Sequence, residues 1–223
     1  DYYINKFGPE EPYTGKSYFP NKNPRATYAA MISYLDQQVG EIVEKLKEIG
    51  EYENTLIIFT SDNGPSWVEQ VDYNFFNSTG LFVNSRNTMK GSVNEGGIRV
   101  PMIASWPNTI SPGSVSNHIS SFYDFFATAC DIANIQIPFS TDGISFYPTL
   151  QGKNQSQHEY LYWEYPSSGG LQAIRMGKWK GIKKNLFKTD SRLQIYDLSN
   201  DPMELIDISE IFPDKIKLLE KYL

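Results

Sequence analysis

The sequence predicts an α/β protein in two parts: an α/β piece over residues 1–155 and a small antiparallel-sheet subdomain over 156–223 that ends in a packed helix. Three observations predict it. A long run with helical period leads directly into a short β-branched run. Beyond residue 155 the chain changes to short, aromatic, partly alternating stretches separated by Gly, Ser, Asp and Asn. The last stretch, "PDKIKLLEKYL", opens with Pro213 and Asp214 and has an amphipathic helical pattern.

Residues 1–24 are rich in Pro, Gly, Tyr and Asn and lack a period, so they are expected to form a surface loop. Tyr28, Ile32, Leu35, Val39, Ile42, Leu46 and Ile49 then recur every three or four positions, which marks one apolar face of a long helix with Gly50 at its C-terminal cap. "TLIIFTS" is short, β-branched and without alternation, and is expected to be a strand buried on both faces. A helix feeding such a strand is half of a βαβ unit. "RVPMIASWP" is read as a second strand. "SNHISSFYDFFATACDIANI" is read as a helix capped at Ser116 or Asn117, with an apolar face through Ile119, Phe122, Phe126, Ala129 and Ile132. "EYLYWEY", "LQAIRMG", "KWKGIKKN" and "LQIYDLS" are the four strands of the small sheet.

Composition narrows the function. Of the 223 residues, 40% are hydrophobic and 21% charged, the profile of a globular protein. A formal charge of -6 disfavours nucleic acid as a partner, because phosphate binding calls for a basic surface. No stretch reaches the roughly 20 apolar residues of a membrane span. The opening segment has no signal-peptide pattern, so the chain is either cytoplasmic or lacks its true N-terminus. The single cysteine, Cys130, excludes an intrachain disulfide and is expected in the core.

Two stretches carry chemistry. "IIFTSDNGPS" ends an apolar strand in Asp62 and Asn63, followed by Gly64 and Pro65. In an open α/β sheet, ligand groups lie at the carboxyl ends of strands. A carboxylate and an amide carbonyl offer hard oxygens, suited to Ca²⁺ or Mg²⁺. Adjacent residues on a straight strand point to opposite faces, so both reach one ion only if the chain is already turning, as Gly64 and Pro65 allow. Taken alone, Asp-Asn-Gly is better read as an ordinary turn, because these residues dominate turns. In "MKGSVNEGGIRVP", Gly96 and Gly97 permit close backbone approach, Lys90 offers a mobile positive charge for an anionic oxygen, and Glu95 and Arg99 could pair across the glycines.

Together and in this order, "YAAMISYLDQQVGEIVEKLKEIGEYENTLIIFTSDNGP", "KGSVNEGGIRVPMIASWP", "DGISFYPTLQGK", "EYLYWEY", "IRMGKWKGI" and "YDLSNDPMEL" resemble the sulfatase family of the alkaline-phosphatase-like superfamily. The resemblance covers nearly the whole chain from Tyr28 and is strongest to arylsulfatase-like enzymes that act on sulfated glycans. It implies the C-terminal part of a sulfatase-type mixed-sheet α/β/α domain plus the small C-terminal sheet. It implies Asp62 and Asn63 as ligands of a divalent cation, Ca²⁺ first, and Lys90, five residues before Glu95, as the catalytic and substrate-binding contact to sulfate. It also implies hydrolysis of a sulfate ester by a formylglycine that attacks sulfur, with the sulfate later released by elimination. For the full-length protein it implies a periplasmic or extracellular location.

The formylglycine motif, C/S-x-P-x-R, is not met. Cys130 is followed by "DIANI", and "SWPNT" at Ser105 has Thr109 in place of Arg. His118 and His158 do not match the family's histidine-bearing segment. The chain is therefore expected to carry part of the active site, to be inactive alone, and to have the missing N-terminal part of the same protein as a partner. The alternatives are a phosphatase or phosphodiesterase relative, which Asn63 disfavours, and a non-catalytic glycan-binding fragment. "FNSTGLFVNSRNTMK" places Lys90 later than the family's shorter spacing, and Asn94 stands where an aromatic residue is common.

Overall fold

The computed structural model describes residues 1–16, 18–68, 71–189 and 191–223. The long helix forms as α2, Pro24–Glu48. Proline suits its first turn, where the missing N–H has no partner to lose. At its other end Gly50 has φ +75°, Gly50 N–H donates to Lys47 O and Glu51 N–H donates to Leu46 O. That pair of bonds is the Schellman termination the sequence predicts at Gly50. The opening segment is not wholly irregular. A short helix, α1, spans Tyr2–Phe7. Tyr3 and Phe7, one turn apart, bring their rings together at 5.6 Å, and Phe7 packs edge-on against Phe75 at 5.1 Å. A four-residue aromatic spacing supplied a period too short to notice in the sequence.

Strand β1, Ile57–Thr60, pairs antiparallel with β2, Met102–Ser105, in a two-stranded sheet. The expectation of burial on both faces is not met: Phe59 is 42% exposed and its strand neighbours are half-buried. Among the described residues β1 has one partner strand and no complete covering layer. The third helix region is also shorter than predicted. Helix α4 spans Asp124–Ile132, so Ile119 and Phe122 precede it and Ser116 and Asn117 do not cap it. "SNHIS" is poor in helix formers, and its backbone turns instead on a side chain, with His118 N–H donating to Ser116 Oγ at 3.1 Å. The buried Asp124 carboxylate then accepts from Ser121 N–H, Ile144 N–H and the His158 ring, which fixes the helix start. Cys130 is half-buried rather than fully in the core. Two short helices join these elements: α3, Glu95–Ile98, and α5, Tyr147–Leu150.

The aromatic C-terminal stretches form a four-stranded antiparallel meander: β3 Leu161–Tyr165, β4 Leu171–Met176, β5 Trp179–Lys184 and β6 Leu193–Asp197. Alternation sorts its side chains onto two faces. Ala173, Ile182 and Tyr196 cluster with Val93 from the loop before α3, and Trp163 and Leu171 pack against them. Ile174, Leu193 and Ile195 cluster with Leu219 of the terminal helix α6, Pro213–Leu219. The sheet is thus sandwiched between that helix and the loop that carries Lys90. No described helix is long and apolar enough to cross a membrane.

Candidate functional site

The two chemistry-bearing stretches meet. Gly64 N–H donates to Gly97 O at 2.8 Å, and Lys90 N–H donates to Pro65 O at 3.0 Å. Trp67 Nε1–H donates to Lys90 O at 3.1 Å. These bonds clasp the turn after β1 to the loop before α3. Glycine is required for the clasp at two places. A Cβ on Gly64 would overlap the Gly96 carbonyl oxygen, and one on Gly97 would sit 2.5 Å from Ser92 O and 2.7 Å from Met89 O. Both glycines have ordinary negative-φ backbone, so it is close approach rather than unusual dihedrals that fixes them.

Within the turn, Ser61 Oγ–H donates to Asn63 O at 2.8 Å, and Asn63 Nδ2–H donates to Gly64 O at 3.0 Å. The amide nitrogen is thereby committed to the backbone, which leaves Oδ1 to act as an acceptor. Asp62 is exposed and Asn63 half-buried. Lys90 is exposed at the rim of the clasp, while Ser92 through Gly97 behind it are buried. The donor set of one carboxylate and one amide oxygen has the chemistry of a hard-cation site but supplies two of the roughly six to eight oxygens that Ca²⁺ takes. No group of three or more His, Cys, Asp and Glu side chains among the described residues could hold a metal ion. The predicted pair Glu95–Arg99 forms at 3.5 Å, but it is the weaker contact of Glu95.

The stronger one is Lys180 of β5, whose Nζ lies 2.8 Å from Glu95 Oε1 and 2.7 Å from Glu204 Oε1. Lys180 is 0% exposed, and the two carboxylate side chains are 2% exposed each. Glu204 Oε2 accepts from Glu95 N–H and from Asn94 Nδ2–H, both at 2.9 Å. Arg175 of β4, opposite Lys180 in the sheet register, approaches Glu95 Oε2 at 3.5 Å. Burial alone would push the Glu95 carboxyl up. The Lys180 charge and hydrogen bond, with Arg175 and Arg99, outweigh it and hold Glu95 below the ordinary carboxylate range. Burial pulls the Arg175 guanidinium down, against the Glu95 charge.

Lys180 and Glu204 did not stand out in the sequence. A signal existed: in "WKGIKK", Lys180 shares the strand face of Ile182, so alternation points it inward. An inward lysine needs a buried carboxylate. His158 is occupied by Asp124, at 2.8 Å, and His118 contacts Gln157; neither joins the clasp.

The sulfatase family model matches residues 1–135, and a model described as N-sulphoglucosamine sulphohydrolase, C-terminal, matches residues 87–217. Arylsulfatase A of Bos taurus is 28% identical, over 99% of this chain and 47% of the relative. N-acetylglucosamine-6-O-sulfatase of Bacteroides thetaiotaomicron is 29% identical, over 81% of this chain and 31% of the relative. The chain thus spans about half or less of the length of these curated relatives. A solved structure in complex with its substrate, D-glucosamine-2-N,6-O-disulfate, superposes with a TM-score of 0.69 at 25% identity, covering 89% of this chain and 39% of that one. The mixed α/β architecture with its antiparallel sheets is the alkaline-phosphatase-like fold of such neighbours. With a family model matched over more than half its residues, the chain belongs to the sulfatase family.

Proposed function

We propose that this chain forms the C-terminal part of a sulfuric ester hydrolase that acts on sulfated carbohydrate, dividing near residue 155 into the end of the catalytic domain and a sheet subdomain. The family implies a metal ion and a formylglycine. In this reading Asp62 and Asn63 supply two oxygens to one hard divalent cation, Ca²⁺ by the donor chemistry, and Lys90 contacts the sulfate. The observation that carries it is the backbone clasp: Gly64 to Gly97 and Lys90 to Pro65 bring an anion-attracting lysine beside a turn that ends in hard oxygens.

Formylglycine, when present, supplies the nucleophile for sulfur. The residues of this chain do the rest of their work electrostatically. The Lys90 ammonium neutralises a sulfate oxygen as charge redistributes from sulfur toward the leaving alcohol. The Lys90 main chain is held at both N–H and C=O, which fixes the point from which its side chain reaches toward substrate. Asn63, its nitrogen tied to Gly64 O, presents Oδ1 in one orientation.

The nucleophile and the other metal ligands lie elsewhere in the protein in this reading. The apolar side of α2 and the open faces of β1 and β2 are the surface on which that part packs. The sulfated-sugar substrate rests on relatives that include an N-acetylglucosamine-6-O-sulfatase and a complex with a disulfated glucosamine.

The test is kinetic. In the full-length protein with formylglycine verified by mass spectrometry, Lys90→Ala is expected to lower kcat about 100-fold or more on a chromogenic aryl sulfate, with a smaller change in KM. Unchanged turnover would remove Lys90 from the site. Hydrolysis of phosphate diesters in preference to sulfate esters would replace the reaction class.

A further inference from the structure

We propose that Lys180 is a positioning residue: from β5 it holds the Asn94–Gly97 segment through the buried Glu95–Lys180–Glu204 ion triad, and so lets the C-terminal sheet set the place of Lys90. The inference rests on the reading of Lys90 as the sulfate contact.

The geometry runs in one chain of contacts. Lys180 bridges two carboxylates, and Glu204 Oε2 in turn binds the main chain of Glu95 and the side chain of Asn94. Asn94 O accepts from Gly97 N–H at 2.8 Å, and Gly97 O accepts from Gly64 N–H. Four links, Lys180–Glu204, Glu204–Asn94, Asn94–Gly97 and Gly97–Gly64, therefore join the sheet to the DNG turn. On the Lys90 side, Val93 is packed into the sheet core with Ile182 and Tyr196, three residues from Lys90. Tyr165 of β3 lies under Gly91, with its hydroxyl 3.5 Å from where a Cβ would stand.

Glu204 sits in a tight turn. Its φ is +56°, the left-handed region that a side chain rarely adopts. The turn is pinned by Asp201, whose carboxylate accepts from Leu205 N–H at 3.1 Å and Ile206 N–H at 2.9 Å. A merely stabilising core would be served as well by apolar side chains at positions 95, 180 and 204 together, since whole buried ion groups are frequently matched by hydrophobic replacements. What apolar side chains cannot do is accept the Glu95 N–H and Asn94 Nδ2–H bonds that Glu204 Oε2 holds.

The experiment is a double-mutant cycle on kcat in the complete enzyme, with Lys180→Met and Lys90→Ala singly and together. Methionine keeps the unbranched shape and removes the charge. Lys180→Met alone is expected to lower kcat about tenfold or more, with KM changed less than about threefold, because a displaced lysine costs most in the transition state. In the Lys90→Ala background the same substitution is expected to have little further effect, since it acts through Lys90. Equal losses in both backgrounds would overturn the proposal and leave a structural triad. No loss from Lys90→Ala alone would instead overturn the reading of Lys90 itself. If Lys180→Met does not fold, Glu204→Gln keeps the acceptor to Glu95 N–H and removes one charge; its loss must likewise disappear in the Lys90→Ala background.

Discussion

On the C-terminal sheet, Ile174, Ile182 and Ile195 have no exposed surface, whereas on α2 Ile32, Leu35 and Ile42 are 49%, 51% and 59% exposed. Both sets are apolar residues at regular spacing, and both are legible from sequence as faces that should be buried. The difference lies in what covers them. The sheet has the Lys90 loop on one face and α6 on the other. Much of the apolar side of α2 faces solvent, as does Phe59 of β1, although Tyr28, Val39 and Leu46 are half-buried. Apolar faces of that kind mark a surface of association. The candidate site lies at the seam, and it is tied to the half that is already complete. That is why the clasp can be well formed while the α2 face is open.

The largest expected effect tests the completeness of the sheet. Ile182→Ala removes a fully buried side chain between Val93 and Tyr196 and is expected to destabilise the folded state by about 2–5 kcal/mol, the range for large-to-small core changes. Urea denaturation reads it directly. A loss below about 1 kcal/mol would mean that the sheet core collapses around the gap and is not the rigid half.

Gly64→Ala tests the seam. Its methyl group must displace the Gly96 carbonyl and with it the Gly64–Gly97 bond. On the proposed reading, turnover by the full-length protein is expected to fall about 100-fold, the cost of moving a reacting group by roughly an ångström. The strand pairing of the sheet and its packing on α6 do not involve Gly64, and the sheet is expected to keep its far-ultraviolet circular dichroism. Full activity in Gly64→Ala would show that the clasp does not place the site.

The seam also separates what could be read in the sequence from what could not. The DNG turn, the glycine pair, the long helix and the four strands all declare themselves over a few residues, through period, turn chemistry or alternation. Lys180 and Glu204 do not, because their partners are remote: Lys180 meets Glu95 across 85 positions, and Glu204 meets the Glu95 N–H across 109. Local reasoning paired Glu95 with Arg99, four residues away, and found the weaker contact. The false start at Ser116 has a related cause. Ile119 and Phe122 have helical spacing with Phe126, yet the helix begins where Asp124 collects bonds from Ser121, Ile144 and His158, and the last two are remote in sequence. The α2 face is legible only in part: periodicity reports that a face wants cover, not which segment supplies it.

The buried triad should leave a mark on acid stability. Glu95 titrates below its ordinary value near 4.5 in the folded state, so the unfolded state takes up its proton first as pH falls. The stabilisation from Glu95 is therefore complete above that ordinary value and is lost as pH drops through the depressed folded one. Glu95→Gln removes this titration. Denaturation midpoints measured between about pH 6 and pH 3 are expected to fall less steeply in Glu95→Gln than in the parent. Parallel slopes would show that Glu95 titrates alike in both states and that Lys180 does not hold its charge.

The smallest effect is expected from Leu35→Ser, and it sharpens the comparison most. In this 223-residue chain the Leu35 side chain is half exposed in the middle of α2, with no cluster to leave. Little apolar area returns to water on replacement, and Leu and Ser differ by only a few tenths of a kcal/mol in helix propensity. The unfolding midpoint of the chain is expected to move by less than about 0.5 kcal/mol, the ordinary range for surface changes. The same substitution in the full-length protein is expected to cost about 1–3 kcal/mol, because burial of a leucine against a second layer is worth that much. Paired urea denaturation of the two proteins decides it. Equal small losses would mean that the α2 face stays open in the complete molecule, and equal large losses that it is already covered in this chain. A loss confined to the longer protein would identify α2 as the face on which the rest of the enzyme is built.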